Sequence, residues 1–255
     1  KTTDIEYLPQ VLIRSEDHPS LNIFSPKNTK YQDTPVLLFV HGGNWNSGKK
    51  ELYNFYGNNF AKKGITTVVV GYSLSPEADY KTMTKQVAEA IKWTQQNISK
   101  YKGDPNQLFL TGHSAGGHLV ALAVMDRQFG IDPSSISGII LNDAAGLDMH
   151  NYLKTYPPTN KHNYLSTWTN YPEIWKKASP IFYVSDATPE IMMYVGERTY
   201  PSITVANKRF LEALKPFQPS LDPILLDKKH IPMVTQFIWP WSNRYQEMID
   251  FMKGE

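Results

Sequence analysis

Ser114 is framed by glycines in the segment GHSAG, and residues of these types at this spacing suit nucleophilic catalysis. The apolar segment LFLT precedes the motif, and the apolar, helix-compatible run 117–125 follows it. A serine at the tip of a sharp turn from strand to helix has a strained backbone and little room around it, so the residues two before and two after it must be very small. Gly112 and Gly116 meet that demand. We therefore expect the Ser114 hydroxyl to attack an acyl carbon, whereas the alternative is a Gly/Ser turn that only caps a helix.

A second glycine-rich segment, HGGNW at residues 41–45, follows the apolar run Pro35–Val40. A continuous apolar run of this length is typical of a central strand that is covered on both faces. Acyl transfer through a serine passes through a tetrahedral oxyanion, which needs fixed N–H donors already aimed at it. Glycines let the backbone approach a substrate closely, and the helix behind Ser114 would add N–H groups and the positive end of its dipole. The alternative is that Gly42 and Gly43 form only a turn.

Residues 108–125 resemble the nucleophile elbow of the α/β-hydrolase fold. The HGGNW segment resembles the HGG-type carboxylesterases, and its H-G-G-x-W form is similar to the branch that contains the kynurenine formamidases. The resemblance covers the chain from Pro35 to its C-terminus. It implies an oxyanion hole formed by the backbone N–H of Ala115, the residue after the nucleophile, together with Gly43 and Asn44 on the loop after the early central strand.

The same resemblance implies a general base on the loop after the last strand. His230 follows the short apolar run Pro223–Leu226 at that place, and it comes after Ser114 in the chain order that the fold uses. His41 is expected to brace its own loop, because it lies far from the last strand. His230 is therefore the predicted catalytic base, against the alternative of an ordinary surface or core histidine.

The third member of a Ser-His-acid triad is left open by the sequence. In most relatives the acid lies three residues after the glycine that ends the penultimate strand, and here that count reaches Thr199, which cannot do this work. Asp143 is the first choice, because it lies at the end of the preceding strand, and a strand end fixes a carboxylate better than a loop does. Glu197 is the second choice, and Asp227, close to His230 in sequence, is the third. A site without any acid is the remaining alternative.

The order of predicted elements indicates the α/β class. Continuous apolar or β-branched runs alternate with segments of helical periodicity, which predicts a mostly parallel twisted sheet with helices on both faces. Two loosely alternating segments, 5–13 and 21–24, predict a hairpin at one edge. The expected organisation is a single α/β-hydrolase domain, 1–255. The main predicted strands are 35–40, 65–71, 108–111, 136–141, 190–195 and 223–226, and the predicted helices are 53–63, 81–101, 117–125, 202–214 and 245–252.

Residues 147–178 are neither clean strand nor clean helix in sequence, and they are rich in aromatic side chains. Ligands of open α/β folds bind at the carboxyl ends of the strands, where this segment is expected to lie. We therefore predict a cap-like insertion over Ser114, against the alternative of a surface excursion that its aromatics anchor. The aromatic residues concerned are Tyr152, Tyr156, Tyr164, Trp168, Tyr171 and Trp175.

The composition narrows the classes of function. The formal charge is only +2, with lysines and arginines scattered among acidic residues, so no nucleic-acid partner is expected. No apolar run approaches the 18 or more residues of a membrane span. The chain has no cysteine, which excludes disulfides, thiol catalysis and cysteine-based metal sites, and neither a cofactor nor a metal is expected. A start at Lys1 rather than Met is compatible with a periplasmic or secreted protein, and otherwise with a cytoplasmic one.

Three hypotheses of function follow from these residues. The first is a serine hydrolase of the carboxylesterase type that cleaves carboxylic esters through an acyl-enzyme intermediate. The second is an aryl formamide hydrolase similar to kynurenine formamidase, since the same groups can cleave that bond. The third is a non-catalytic binding protein on the same fold. It is motivated by Thr199, which stands where most relatives have the triad acid. The expected partner is a small-molecule ester or amide, and the sequence leaves the physiological substrate and the oligomeric state open.

Overall fold

The computed structural model describes residues 1–9, 19–28 and 32–255. Within these residues, eight strands form one open sheet in the order β1-β2-β4-β3-β5-β6-β7-β8. Strand β2 is antiparallel to both of its neighbours, and all other pairs are parallel. The strands are β1 Thr2–Glu6, β2 Ser20–Phe24, β3 Thr34–Val40, β4 Thr66–Val70, β5 Gly103–His113, β6 Gly138–Asn142, β7 Ile191–Gly196 and β8 Ile224–Leu226.

The helices cover both faces of this sheet. In the described residues they are α1 Asn54–Lys62, α2 Tyr80–Asn97, α3 Ala115–Met125, α4 Met149–Thr155, α5 Tyr164–Trp168, α6 Pro172–Lys177, α7 Pro201–Leu214, α8 Pro232–Thr235 and α9 Arg244–Lys253. Helices α2, α3 and α7 contribute to the apolar core on one face, and α1, α8 and α9 to the core on the other.

Alternation along β3 explains why two cores form. Val36, Leu38 and Val40 belong to the core with α2 and α3, whereas Leu37 and Phe39 belong to the core with α1 and α9. Successive side chains of a strand point to opposite faces, so a central strand buried on both sides must be apolar throughout.

The strand register sets the place of the site. Val40 pairs with Gly112 at the end of β5, and Asn142 at the end of β6 pairs with both His113 and Tyr194. The loops that follow these parallel strands therefore leave the sheet at one edge, where open α/β folds bind their ligands.

The predicted fold class is confirmed, and the differences lie at segment ends. The predicted helix 81–101 ends as an α-helix at Asn97 and continues as a 3₁₀ turn, Ile98–Tyr101. The predicted edge hairpin forms from β1 and β2, but β1 shares only residues 5 and 6 with the predicted segment 5–13. Residues 7–9 are not in a strand, and residues 10–13 lie outside the described residues. Residues 147–178 contain three short helices, α4 to α6, although their sequence lacks a clear helical period.

Candidate active site

The turn that carries Ser114 has the strained geometry expected for it. Its backbone lies at φ 54° and ψ −123°, a region that L-residues rarely adopt. A Cβ on Gly112 would lie 2.3 Å from the carbonyl carbon of Gly116, and a Cβ on Gly116 would lie 2.0 Å from the carbonyl oxygen of Val40. Both positions therefore exclude any side chain, because the helix start packs directly on the ends of β5 and β3.

The structure brings Ser114, His230 and Asp143 together. The Ser114 Oγ and the His230 Nε2 are 2.9 Å apart, and the His230 Nδ1 lies 2.6 Å from the Asp143 Oδ2. All three side chains are buried, and Asp143 has no exposed surface. With a neutral imidazole, the Nδ1–H donates to the carboxylate and leaves Nε2 free to accept the serine proton.

Three donors surround the buried Asp143 carboxylate. Its Oδ1 accepts a 2.9 Å bond from the backbone N–H of Gly196, and its Oδ2 accepts a 2.5 Å bond from the Thr199 hydroxyl as well as the bond from His230. A buried carboxylate is tolerable only where such bonds replace water. The carboxylate is therefore held by groups at the end of β7 and in the loop after it, as well as by its own position directly after β6.

The other two acid candidates are not brought to His230. Glu197 is exposed, and within the described residues its side chain has no hydrogen bond to the imidazole. Asp227 forms an exposed ion pair of 2.6 Å with Arg198. Of the carboxylates weighed from the sequence, only Asp143 lies within hydrogen-bond distance of His230.

The loop after β3 approaches Ser114 closely. A Cβ on Gly42 would lie 3.0 Å from the Ser114 Cβ, and Gly43 has a positive φ of 133° with the carbonyl oxygen of Ser47 where a Cβ would be. Asn44 also has a positive φ, 52°. Within the described part of the chain, the backbone N–H groups of Gly43 and Asn44 donate no hydrogen bond to another backbone group. The role of these two N–H groups as oxyanion donors stays a prediction.

His113, the residue before the serine, is a buried neutral histidine. Burial, followed by the positive charge that His230 can carry, lowers the pKa of His113 to about 3. Its Nε2 lies 3.0 Å from the backbone carbonyl oxygen of His230, so the Nε2–H donates to the segment that holds the predicted base.

Two further buried histidines brace the loop after β3. The Trp45 Nε1–H donates to the His118 Nδ1 over 3.1 Å, and the His118 Nε2–H donates to the Ala178 carbonyl over 2.7 Å. His41 stacks on Tyr72 with ring centroids 4.5 Å apart. Burial lowers the pKa of both His41 and His118 to about 4, so each is neutral and can use one nitrogen as an acceptor.

A pocket of about 930 Å³ opens over Ser114 and His230. Tyr152, Tyr156 and Tyr164 from residues 147–178 line it, together with apolar side chains that include Phe55, Val234 and Ile238. Trp168 and Trp175 of the same segment are buried in the core instead. The aromatics of 147–178 therefore divide between the two roles weighed from the sequence, some lining the pocket and some anchoring the segment.

Sequence reasoning missed three residues of this site. From the sequence, Thr199 is only a departure from the usual acid position, Tyr164 is one aromatic among several, and His113 is not a candidate at all. Their partners are Asp143, His230 and the Asn44 side chain. The sequence does hold one signal for Thr199. A polar residue at the usual position of the acid indicates a contact with the carboxylate that takes over the acid's role from another loop.

A metal site and a membrane-spanning helix are both absent from the described residues. In residues 1–9, 19–28 and 32–255, no group of three or more histidine, aspartate or glutamate side chains is placed to hold a metal ion. Over those same ranges, no helix combines the length and the apolar character needed to cross a bilayer.

The open, mostly parallel sheet, the serine on its strained turn and the histidine after the last strand define an α/β-hydrolase fold. The profile of the BD-FAE family matches residues 21–208 of the 255, well over half of the chain. The chain belongs to the BD-FAE family, and its predicted place in the HGG-type branch of esterases and formamidases is confirmed.

Curated relatives and solved structures agree with this placement. Esterase LipQ of Mycobacterium tuberculosis is 32% identical over 193 residues, which cover 70% of this chain and 45% of that protein. Kynurenine formamidase of Danio rerio is 28% identical over 203 residues, covering 76% and 64%. This chain thus spans less than two thirds of either relative. An inhibited esterase B from Lactobacillus rhamnosis superimposes with a TM-score of 0.78 at 20% identity, covering 99% and 85%, and this shows the shared fold.

Proposed function

We propose that the protein is a serine hydrolase of the carboxylesterase type, acting on small-molecule carboxylic esters. The observation that carries the proposal is the continuous chain of bonds from Ser114 through His230 to Asp143, with distances of 2.9 and 2.6 Å. Similarity to an esterase of Mycobacterium tuberculosis, and the fold shared with esterase B, support the same reaction class.

The first half of the proposed reaction acylates the serine. The Ser114 Oγ attacks the carbonyl carbon while the His230 Nε2 takes its proton, and Asp143 stabilises the imidazolium that forms. The backbone N–H groups of Gly43, Asn44 and Ala115 hold the oxyanion. The carbon–oxygen bond to the alcohol then breaks, and His230 returns the proton to the leaving oxygen.

The second half frees the enzyme. Water attacks the carbonyl carbon of the acyl-Ser114 ester while the His230 Nε2 accepts one of its protons, and collapse of the intermediate returns that proton to the Ser114 oxygen. The product is the carboxylic acid. Because only a neutral imidazole can take a proton in either half, the rate should fall on the acid side of the pH profile.

Residues 147–178 serve as the cap of the proposed site within a single domain, 1–255. Their three pocket-lining tyrosines face the space above Ser114, and their two buried tryptophans tie the segment to the core. A substrate would thus bind between this segment and the apolar wall around Phe55 and Val234.

A formamide hydrolase is the second candidate. It is favoured by the kynurenine formamidase of Danio rerio, which is 28% identical over 76% of this chain. The acylation chemistry is the same, but the leaving group is an aryl amine and the acyl group is formyl. The choice between the two is therefore a matter of substrate and not of mechanism.

A fluorophosphonate probe tests the nucleophile directly. We expect one label per chain on Ser114, and Ser114→Ala should remove both the label and turnover, since nucleophile loss can cost on the order of 10⁶-fold in rate. An unlabelled but folded wild-type protein would favour the non-catalytic binder. A panel of p-nitrophenyl acyl esters, acetylated sugars and N-formylkynurenine then ranks the two hydrolase candidates by kcat/KM.

A further inference from the structure

The Thr199 hydroxyl reaches both partners of the proposed base–acid pair. Its Oγ1 lies 2.5 Å from the Asp143 Oδ2 and 3.4 Å from the His230 Nδ1. A hydroxyl has a single proton, and the carboxylate can only accept, so that proton is donated to Asp143. The Thr199 oxygen is left facing the imidazole as a second, more distant acceptor.

The pairing of β6 with β7 explains how the loops after these two strands both reach the His230 Nδ1. Asp143 follows β6 and Thr199 follows β7, and these neighbouring parallel strands end at the same edge of the sheet. The Asp143 backbone adopts a positive φ of 49°, and its N–H donates to the carbonyl of Tyr194 in β7 over 2.8 Å. The Gly196 N–H, also from β7, donates to the Asp143 Oδ1 over 2.9 Å.

Thr199 and Gly196 therefore hold the carboxylate from outside its own strand. One donates to each carboxylate oxygen, which sets the plane of the carboxylate and keeps Oδ2 directed at the imidazole. Bonds to a charged, buried acceptor are stronger than bonds between neutral groups. Loss of the Thr199 bond would thus loosen the orientation of Asp143 and weaken its contact with His230.

We propose that Thr199 is a positioning residue that locks the Asp143 carboxylate onto His230. The proposal rests on the proposed function, because it assigns a part in that site.

Replacement of the Thr199 hydroxyl by a methyl tests the positioning role. Thr199→Val should lower kcat about 10- to 100-fold, as expected for loss of a hydrogen bond to a charged group, with KM changed less than about threefold. The acid limb of the kcat/KM profile should move to lower pH, because a less firmly held carboxylate stabilises the imidazolium less. Thr199→Ser retains the hydroxyl and should restore both properties.

A spectroscopic measurement follows the same bond without turnover. The proton shared between the His230 Nδ1 and Asp143 should give a far-downfield proton resonance, which His230→Gln identifies by its loss. Thr199→Val should shift that resonance and Thr199→Ser should leave it in place. A Thr199→Val protein with wild-type kcat, acid limb and resonance would overturn the positioning role.

Fluorophosphonate labelling of wild-type Ser114 separates these results from failure of the proposed function, since a protein that is not a hydrolase would fail to label before any change at position 199.

Discussion

The Tyr164 hydroxyl donates a 2.8 Å hydrogen bond to the side-chain oxygen of Asn44. This bond joins the segment 147–178 to the loop after β3, which carries the predicted oxyanion donors Gly43 and Asn44. A second bond joins the same two regions, from the Asn46 side chain to the His162 carbonyl over 3.0 Å. The position of the predicted oxyanion donors therefore depends on a segment more than a hundred residues further along the chain.

Tyr164→Phe should lower kcat/KM about 10-fold, since it removes one hydrogen bond and leaves the Asn44 side chain free to turn. Steady-state kinetics on a p-nitrophenyl ester measure the effect. Tyr183→Phe makes the same chemical change at a tyrosine whose hydroxyl donates to the Lys177 carbonyl, away from the pocket, and it should leave the rate unchanged. Equal rates for both variants would contradict a link between this segment and catalysis.

His113 supports the predicted base through both its ring and its N–H. The rings of His113 and His230 stack with centroids 4.6 Å apart, and the His113 Nε2–H bonds to the His230 carbonyl. His113→Phe keeps an aromatic ring but loses the donor, so kcat should fall about 10-fold through a poorly fixed His230 backbone. His113→Gln restores a donor and should regain most of the rate. If the Phe and Gln variants are equally slow, the hydrogen bond is not what matters.

The elements closest to Ser114 could be predicted because their signals are local. Glycines two residues on either side of a serine, an apolar strand before it and an apolar helix after it are all read within about twenty residues. The same is true of Pro35–Val40 and the glycines behind it. The structure shows why small residues are needed there, since a side chain at Gly112 or Gly116 would overlap the backbone.

The acid could only be narrowed to candidates, because its choice depends on contacts between distant strands. Asp143 and Thr199 are 56 residues apart, and they meet because β6 and β7 pair in parallel register. Which aromatic residues of 147–178 are buried in the core and which line the pocket could not be predicted from the sequence either. The segment has no helical or strand periodicity in its apolar residues. Its sequence therefore does not distinguish Trp168 and Trp175, which are buried in the core, from the tyrosines that line the pocket.

Stability should decrease in mild acid, because three buried histidines are neutral in the folded protein. The pKa values of His41 and His118 are lowered to about 4, and that of His113 to about 3, mainly by burial. Unfolded histidines titrate near pH ~6.5, so between that pH and about 4 the unfolded chain binds more protons than the folded one. The free energy of unfolding is therefore highest above pH ~6.5 and falls as the pH drops towards 4.

The size of this effect can be measured by urea unfolding at pH 7 and pH 5. Each of the three histidines should contribute a loss of about 2 kcal/mol between those pH values, because pH 5 lies about 1.5 units below the unfolded pKa of ~6.5 and still above the folded pKa values. His118→Gln keeps a donor for Ala178 and an acceptor for Trp45 but cannot titrate. Its free energy of unfolding should thus fall less between pH 7 and 5 than that of the wild type, and an unchanged difference would contradict the assignment.

The assignment of the acid gives the sharpest test of the proposed mechanism. Asp143→Asn keeps the size of the side chain but removes the charge that orients and stabilises the His230 imidazolium, so kcat should fall by something near the ~10⁴ seen for an amide at this place in a serine protease. KM should change little, since Asp143 is buried beneath the imidazole, away from bound substrate. Glu197→Gln serves as the matched control, because it makes the same change on the exposed loop after β7. Near-wild-type kcat in Asp143→Asn would mean that the site runs as a Ser-His dyad, whereas a large loss in Glu197→Gln alone would return the acid to the loop after β7.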